Sequence, residues 1–179
     1  MSLAQAQAPL PARDVEAAFL INFLRYTQWP EQSFASAQAP FVLTVMGPSL
    51  MATSVRALAQ AAGTVNGRPI EVRWIDDGEA SRDAEHAQLA MQGLHGCHLL
   101  FLQVGAAGLR RQALTSVAGE PVLTVADQPG FAAAGGMIEL QNAAGHIVFK
   151  ANPAAIRAAG LMVSAKVLKL AQTIQDDVR

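Results

Sequence analysis

The sequence predicts an α/β fold: a single domain with a mostly parallel sheet, flanking helices and an antiparallel hairpin near the C-terminus. Short apolar runs alternate along the chain with segments of helical periodicity, an order typical of parallel strands joined by helical crossovers. Ile138 and Leu140 alternate with other residues, and the alternation resumes through Ile147 and Phe149 after an Asn142–Gly145 turn. The chain has 179 residues, of which 51% are hydrophobic and 15% charged, so it can bury one substantial core.

The first predicted helix runs from Val15 to about Tyr26, with Asp14 as its cap. Phe19 and Phe23 share one side of this helix, and most of its circumference is apolar. A helix of this kind needs cover on more than one side, either from the domain's own sheet or in part from another chain. Phe19, Phe23 and Trp29 are therefore candidates for the core or for a dimer contact.

The pattern of apolar residues in the middle of the chain predicts four strands separated by three helices. The strands are Phe41–Met46, Ile70–Trp74, Cys97–Val104 and Val122–Val125, and the helices run from Ser49 to about Ala61, from about Glu79 to Gln92 and from Leu109 to Val117. Phe41–Met46 is apolar almost throughout, as a buried parallel strand would be. The Ile70–Trp74 strand alternates with charged residues and so has one wetter face.

The hairpin and the segment after it form one unit. The residues predicted to lie opposite the four alternating apolar positions are Met137, Glu139, His146, Val148 and Lys150. Asn152 and Pro153 predict the cap and first position of a short helix to Ala159, and Gly160 fits the left-handed position after it. Ser164 is predicted to cap a final helix that buries Val167, Leu168, Ala171 and Ile174.

Composition and termini restrict the classes of function. The formal net charge is −1 and no basic run exceeds Arg110-Arg111, which argues against nucleic acid binding. No apolar stretch approaches the ~20 residues that span a bilayer. Residues 4–9 resemble the remnant of a signal-peptide cleavage site, and Met1-Ser2-Leu3 looks like a start added for expression. We therefore expect residues 1–13 to precede a domain at 14–179 in a protein from outside the cytosol; a disordered N-terminus in a cytosolic protein is the alternative.

The sequence carries no recognisable catalytic or cofactor signature. The turn after the first parallel strand lacks the glycine pattern of a dinucleotide fold and the lysine of a phosphate-binding loop. The acidic positions of a phosphoacceptor site and a nucleophile elbow are absent too. His95-Gly96-Cys97-His98 is the one cluster that resembles metal ligands, but its spacing does not match common zinc sites. We predict no catalytic residue, metal or cofactor, and Cys97 has no partner for an intrachain disulfide.

Several segments resemble YfiR-like periplasmic regulators in sequence and in order. They are Ala17–Phe23, Tyr26–Pro30, Val65–Ile70, Cys97–Leu102, Pro121–Val125, Phe131, Gly135–Ile138, Phe149–Asn152 and Ala159–Ala171. The resemblance covers nearly the whole chain after Val15. It implies a periplasmic, dimeric, non-enzymatic protein that holds the periplasmic domain of an inner-membrane diguanylate cyclase inactive and is itself removed by an outer-membrane lipoprotein.

The resemblance also implies differences from relatives. Relatives of that type carry a cysteine pair around the Gly-Gly-Met turn, where this chain has Ala132 and Glu139, so redox control is not expected to carry over. Lys150 stands where relatives usually have an acid, which bears on the choice of partner.

We therefore predict a regulator that acts by binding a membrane diguanylate cyclase or sensor kinase and so controls cyclic di-GMP and biofilm formation. Met137, Lys150, Ile156 and Met162 are the predicted partner contacts, with core packing as the alternative for each. A small-ligand module with its pocket at the carboxyl ends of the parallel strands is the second hypothesis. An uncatalogued hydrolase is the third.

Overall fold

The computed structural model describes residues 11–144 and 146–173. Within them the helices are α1 (Ala12–Tyr26), α2 (Ser49–Ala62), α3 (Asp77–Ala80), α4 (Ala84–Gln92), α5 (Ala107–Ser116), α6 (Pro153–Ala158) and α7 (Ala165–Leu168). The strands are β1 (Thr27–Gln28), β2 (Phe41–Met46), β3 (Thr64–Val65), β4 (Arg68–Ile75), β5 (Leu99–Leu102), β6 (Leu123–Ala126), β7 (Ile138–Ala143), β8 (His146–Ala151), β9 (Met162–Val163) and β10 (Gln172–Thr173). Residues 1–10, on which most of the predicted N-terminal remnant falls, lie outside the described part.

The described strands form one large sheet and one small ribbon. The sheet has the order β10-β8-β7-β6-β5-β2-β4-β3, and β1 pairs with β9 in the separate ribbon. All neighbouring pairs in the sheet are parallel except β7 with β8 and β3 with β4. The predicted α/β fold, with a mostly parallel sheet and a C-terminal antiparallel hairpin, is confirmed.

The sheet is covered on both faces. Alternate residues of β2 point to opposite sides: Phe41, Leu43 and Val45 join the apolar cluster under α1 and α2, whereas Val42 and Met46 join the cluster under α4 and α5. The central strands are accordingly buried along their whole length. This double burial is the reason that their sequences are almost continuously apolar.

The start of α1 differs from its prediction. The helix begins at Ala12, with Pro11 at the N-cap position and no side-chain cap. Asp14 already lies inside the first turn, where its carboxylate accepts a 2.6 Å hydrogen bond from Ser54 Oγ on α2. The predicted cap was wrong. The Asp14 carboxylate instead links α1 to α2 and interacts favourably with the positive end of the α1 dipole.

The segment predicted as one helix from Glu79 to Gln92 is two helices. Asp76 caps α3 through the Glu79 N–H, and Asp83 caps α4 through the His86 N–H, both at 3.0 Å. α3 therefore ends at Ala80, and Asp83 starts a second helix, because its side chain accepts a hydrogen bond from a backbone donor of α4. The strand predicted from Cys97 to Val104 is also shorter, since only residues 99–102 are paired as β5.

The predicted final helix is wrong beyond its first turn. Ser164 does cap it, accepting from the Lys166 N–H at 3.3 Å, but α7 ends at Leu168. The chain then becomes extended, and β10 pairs in parallel with the end of β8. Sheet pairing therefore replaces helix continuation there, and Ile174 lies outside the described residues.

The hairpin and its cap are confirmed. Leu140 pairs with Phe149 in β7–β8, and both side chains are buried. Asn152 accepts a 3.0 Å hydrogen bond from the Ala155 N–H at the start of α6. Gly160 takes the left-handed conformation, with φ of 71°, after that helix.

Candidate interaction surface

A loop of residues 127–136 folds back over the outer face of the hairpin. Two side chains of the hairpin unit hold Ala132 at this loop: Glu139 Oε2 accepts from the Ala132 N–H at 3.2 Å, and Asn152 Nδ2 donates to the Ala132 carbonyl at 3.1 Å. Gly136 lies against the ring of Phe131, where a Cβ atom would come within 2.2 Å of the ring. The side chains of Glu139 and Asn152 therefore hold the loop through the N–H and the carbonyl of one residue, Ala132.

Glu139 is the buried acid at the centre of this unit, with 1% of its surface exposed. Its Oε1 accepts from Gln141 Nε2 at 2.7 Å and lies 3.7 Å from Lys150 Nζ. Lys150 itself keeps 35% of its side chain exposed. The buried Glu139 carboxylate thus partly neutralises the Lys150 charge from the protein interior, while the lysine side chain still reaches solvent. This arrangement is suited to presenting a positive charge at the surface.

Met137 follows this loop and lines a groove between the end of α5 and α6. The groove has a volume of about 220 Å³, and its walls are mostly small or apolar. They include Leu114, Val117, Ala118, Gly119, Thr124, Gly135, Ala155, Ala158 and Ala159. The Met137 N–H is satisfied by Thr124 Oγ1 at 3.2 Å, and only 8% of the residue is exposed. Met137 therefore forms the floor of the groove.

A second apolar surface lies on the ribbon formed by β1 and β9. Thr27 pairs with Val163, and Gln28 pairs with Met162. Because paired residues share a face, Thr27 points inward with 2% exposure, whereas Met162 points outward with 64%. Tyr26, just before the ribbon, is 41% exposed. Tyr26 and Met162 therefore offer apolar area to solvent, and we call them the ribbon patch.

The remaining predicted contact residues lie in different environments. Ile156 of α6 is buried at 3%, and Phe23 of α1 is buried at 2%. Phe19 and Trp29 are partly buried against the same cluster, and the Phe23 and Phe149 rings meet edge-on with centroids 5.4 Å apart. Of the four predicted partner contacts, Lys150 and Met162 reach solvent, whereas Met137 and Ile156 support the surface from beneath. Assignment of any of the seven to a partner or to a dimer stays a prediction.

The histidines of the metal-like cluster point in different directions. His95 Nδ1 lies 2.8 Å from Glu120 Oε1 at the surface, whereas His98 is buried at 5%. Cys97 is buried at 4%, and this burial raises the pKa of its thiol to about 12. Among the described residues there is no group of three or more side chains suited to hold a metal ion.

His98 joins three separate segments. Its Nδ1 accepts from the Val42 N–H at 3.0 Å, so Nε2 carries the proton and donates to the Ser33 carbonyl at 3.1 Å. The ring stacks on Phe34 with centroids 4.4 Å apart. Trp29 Nε1 donates to the His98 carbonyl at 3.2 Å. Burial of the ring lowers the pKa of His98, and its role is to hold the Trp29–Phe34 segment to the sheet.

The carboxyl ends of β2 and β5, where the second hypothesis places a ligand, are closely packed. A Cβ at Gly47 would lie 2.9 Å from the Gln103 carbonyl oxygen. Gln103 Nε2 donates to Asp127 Oδ2 at 2.7 Å across the neighbouring strand end. Asp127 is in turn close enough to α1 to affect Glu16, so side chains of the protein itself fill this position.

Glu16 is half-buried, and desolvation together with the charge of Asp127 raises its pKa to about 7. The folded state therefore binds a proton more tightly than the unfolded chain, whose value is 4.5. As pH rises from 4.5, ionisation of Glu16 lowers the free energy of unfolding, and the loss reaches its full size above about pH 7.

We expect Glu16→Gln to stabilise the protein by ~1 kcal/mol at about pH 8, a figure that allows for screening of this half-exposed group. The gain should vanish near pH 4.5, where the wild-type glutamate is protonated in the folded state. Urea unfolding across this pH range measures both values. Glu85→Gln, at an exposed position of α4, is the control; equal gains in both variants would contradict the assignment to Glu16.

The described residues thus form a single α/β domain in which a hairpin-anchored loop, a small groove and an exposed ribbon patch form the candidate surface. No described helix is both long enough and apolar enough to cross a membrane. The chain belongs to the YfiR/HmsC-like family, whose model matches residues 13–172.

Membership of this family indicates the general kind of function. Proteins of this family are generally regulators of diguanylate cyclase signalling rather than enzymes, and membership suggests a periplasmic location. The resemblance read from the sequence is therefore confirmed at the level of the family.

Proposed function

We propose that this protein binds and inhibits the periplasmic domain of an inner-membrane diguanylate cyclase, or of a similar signalling protein such as a sensor kinase. In this role it limits cyclic di-GMP production and biofilm formation. The observation that carries the proposal is the family match over nearly the whole described chain. Release by an outer-membrane lipoprotein and action as a homodimer are further parts of the proposal.

The proposed docking surface combines the ribbon patch with the hairpin unit. Met162 supplies exposed apolar area, and Lys150 supplies a positive charge that Glu139 offsets from the buried side. Aromatic and methionine side chains are enriched at the cores of interfaces, and a charge at the rim selects partners. We propose that Met137 and Ile156 act indirectly, by holding the groove floor and α6 in place.

The test is a binding titration with the purified periplasmic domain of a cyclase or kinase encoded beside this gene. We expect wild-type protein to bind and Met162→Glu to bind about tenfold or more weakly, because a charge replaces an apolar contact at the interface. Leu89→Glu on α4 is the matched control, since Leu89 is 58% exposed and belongs to neither the ribbon patch nor the hairpin unit. Absence of binding to any such domain would contradict the proposed function, and equal loss in both variants would contradict the surface.

The alternative of a periplasmic small-ligand module has less support. Gln103 and Asp127 already occupy the strand ends where such a pocket is common in parallel sheets. A thermal shift with nucleotides or amino acids would reveal a ligand that binds the folded state.

A further inference from the structure

Charge is distributed unevenly along the chain. Residues 71–85 carry six acidic and two basic side chains, whereas residues 140–173 carry four basic side chains and no acidic one. The basic stretch contains all three lysines of the protein. It stays basic when residues 174–179 are included, since these add two acidic residues and one basic residue. The formal net charge of −1 therefore results from oppositely charged regions that nearly cancel.

The order of the strands places these two regions at opposite edges of the sheet. The acidic side chains lie on β4, around α3 and at the start of α4, whereas the basic ones lie on β8, on α6 and around α7, which leads into β10. Five strands separate β10 from β4, or roughly 30 Å at the usual strand spacing. Because the Debye length at physiological salt is only about 8 Å, the charges at one edge scarcely cancel the field at the other.

The turn formed by α7 and the two residues after it has an apolar side and a basic side. Its inward side chains, together with that of the residue before the Ser164 cap, pack against the apolar cluster under α1; they are Val163, Val167, Leu168 and Ala171. Lys166, Lys169 and Leu170 are spaced by three and four positions, so they share the outward side, and all three are exposed. Leu170, at 75%, is the most exposed large apolar side chain among the described residues. This outward side is called the α7 surface.

The cations around α7 are not neutralised by neighbouring acids. Within the described part of the chain, no ion pair joins Arg157, Lys166 or Lys169 to a carboxylate. Lys150 differs, because it projects from the other face of β8 and Glu139 lies 3.7 Å from its ammonium group. The α7 surface therefore presents an uncompensated positive field to solvent.

We propose that the α7 surface attaches this protein reversibly to an anionic phospholipid bilayer. In this arrangement Leu170 enters the headgroup layer, Lys166 and Lys169 contact lipid phosphates, and the acidic β4 edge points away from the membrane. The inference concerns a lipid surface rather than a protein target. It therefore goes beyond the proposed inhibition of a cyclase, and either one can hold or fail without the other.

The chemistry of the side chains favours a lipid surface over an acidic protein surface. An exposed apolar side chain flanked by lysines is typical of segments that lie in a membrane interface, because the apolar group enters the headgroup layer while the ammonium groups stay beside the phosphates. A lysine is a point charge on a flexible stem, which suits phosphates that move laterally, whereas arginine offers a planar fork that matches fixed carboxylates. Protein interfaces are accordingly enriched in arginine and depleted of lysine.

Vesicle flotation at about 0.1 M salt, where the Debye length is about 10 Å, tests the proposal. We expect wild-type protein to bind vesicles of phosphatidylcholine and phosphatidylglycerol in equal parts, and to dissociate as the salt concentration is raised further. Vesicles of phosphatidylcholine alone should bind it at least about tenfold more weakly. The double variant Lys166→Gln with Lys169→Gln should lose about tenfold or more in affinity, because each lysine near an anionic surface contributes to binding.

A matched variant controls for net charge. Arg56→Gln with Arg111→Gln removes the same charge from exposed positions of α2 and α5. This variant should bind the mixed vesicles within about threefold of wild type, because both positions lie more than a Debye length from the proposed contact. Far-UV circular dichroism checks that both double variants fold. An equal loss in the two double variants would overturn the proposal, as would equal binding of wild-type protein to the two kinds of vesicle.

A polarity-sensitive dye reports which edge meets the lipid. Attached at Leu170→Cys, its emission should shift to shorter wavelength when mixed vesicles are added. Attached at Leu89→Cys, whose side chain is 58% exposed and lines a cavity with Asp76 and Glu79, it should not shift. Cys97 is buried and should take up no dye.

Two further results would contradict attachment through α7. A dye shift at residue 89 without one at residue 170 would overturn the proposed orientation. Absence of vesicle binding by wild-type protein would overturn the proposal as a whole. Weaker binding of the lysine variant to the cyclase domain would then assign Lys166 and Lys169 to an acidic protein partner.

Discussion

Replacing Glu139 by alanine should cost the protein ~3 kcal/mol of unfolding free energy. The substitution removes a buried carboxylate and leaves the Ala132 N–H, the Gln141 amide and the Lys150 ammonium without their shared acceptor. Loss of one partner from a buried ionic group costs ~3–5 kcal/mol, and the low end applies because Lys150 can turn to solvent. The midpoint and slope of urea unfolding measure the loss.

Two further variants separate the buried acid from a general charge effect. Glu71→Ala removes an acid from an exposed pair with Arg73 and should change stability by less than ~1 kcal/mol. The double variant Glu139→Ala with Lys150→Met should recover part of the loss, because no unpaired cation remains. Hydrogen exchange at the Ala132 N–H should accelerate in Glu139→Ala. A loss below ~1 kcal/mol would show that the loop is held by other contacts.

Replacing His98 by alanine should cost ~4 kcal/mol, the largest effect expected for a single histidine here. The change leaves the buried Val42 N–H without its acceptor, removes the ring stacked on Phe34 and opens a cavity beside Trp29. His98→Phe keeps a ring of similar size but lacks the acceptor, so it should cost ~2 kcal/mol. The difference between the two variants separates packing from hydrogen bonding, and equal losses would contradict that division.

His98 should also make stability depend on pH. Its pKa is lowered in the folded state, so its contribution is complete above the ordinary value of 6.5 and is lost as pH falls below it. Protonated Nδ1 cannot accept from the Val42 N–H, which is the structural cause. Glu16 acts in the opposite direction over an overlapping range, so the comparison is best made in Glu16→Gln protein. His98→Phe in that background should lose the slope; retention of the slope would assign it to another group.

The fold could be predicted because its main signals are local. The apolar run of β2, the alternation of β4 and the Asn152-Pro153 cap each predict an element from neighbouring residues alone. The error in the final helix occurred where a distant segment competes with a local preference. Val167, Leu168 and Ala171 have helical spacing, yet the chain after Leu168 extends because the end of β8 offers pairing positions.

The candidate surface was less predictable for the same reason. Alternation in the hairpin predicts only that Glu139 lies on the same side as Lys150, opposite the alternating apolar positions. Glu139 is buried because the loop around Ala132 returns over it, and a period-two pattern does not report such a contact. His98 stood out only as a possible metal ligand beside Cys97. Its partners Ser33 and Val42 lie more than 50 residues away, so no spacing within the sequence could identify them.

The ribbon has a consequence for the order of folding. Pairing of Thr27 with Val163 joins the end of the first helix to one of the last described segments, so this contact cannot form until nearly the whole chain is present. Closing so long a loop is slow compared with forming neighbouring strand pairs. The ribbon patch should therefore mature late, and a newly made molecule would acquire its docking surface only after the central sheet has assembled.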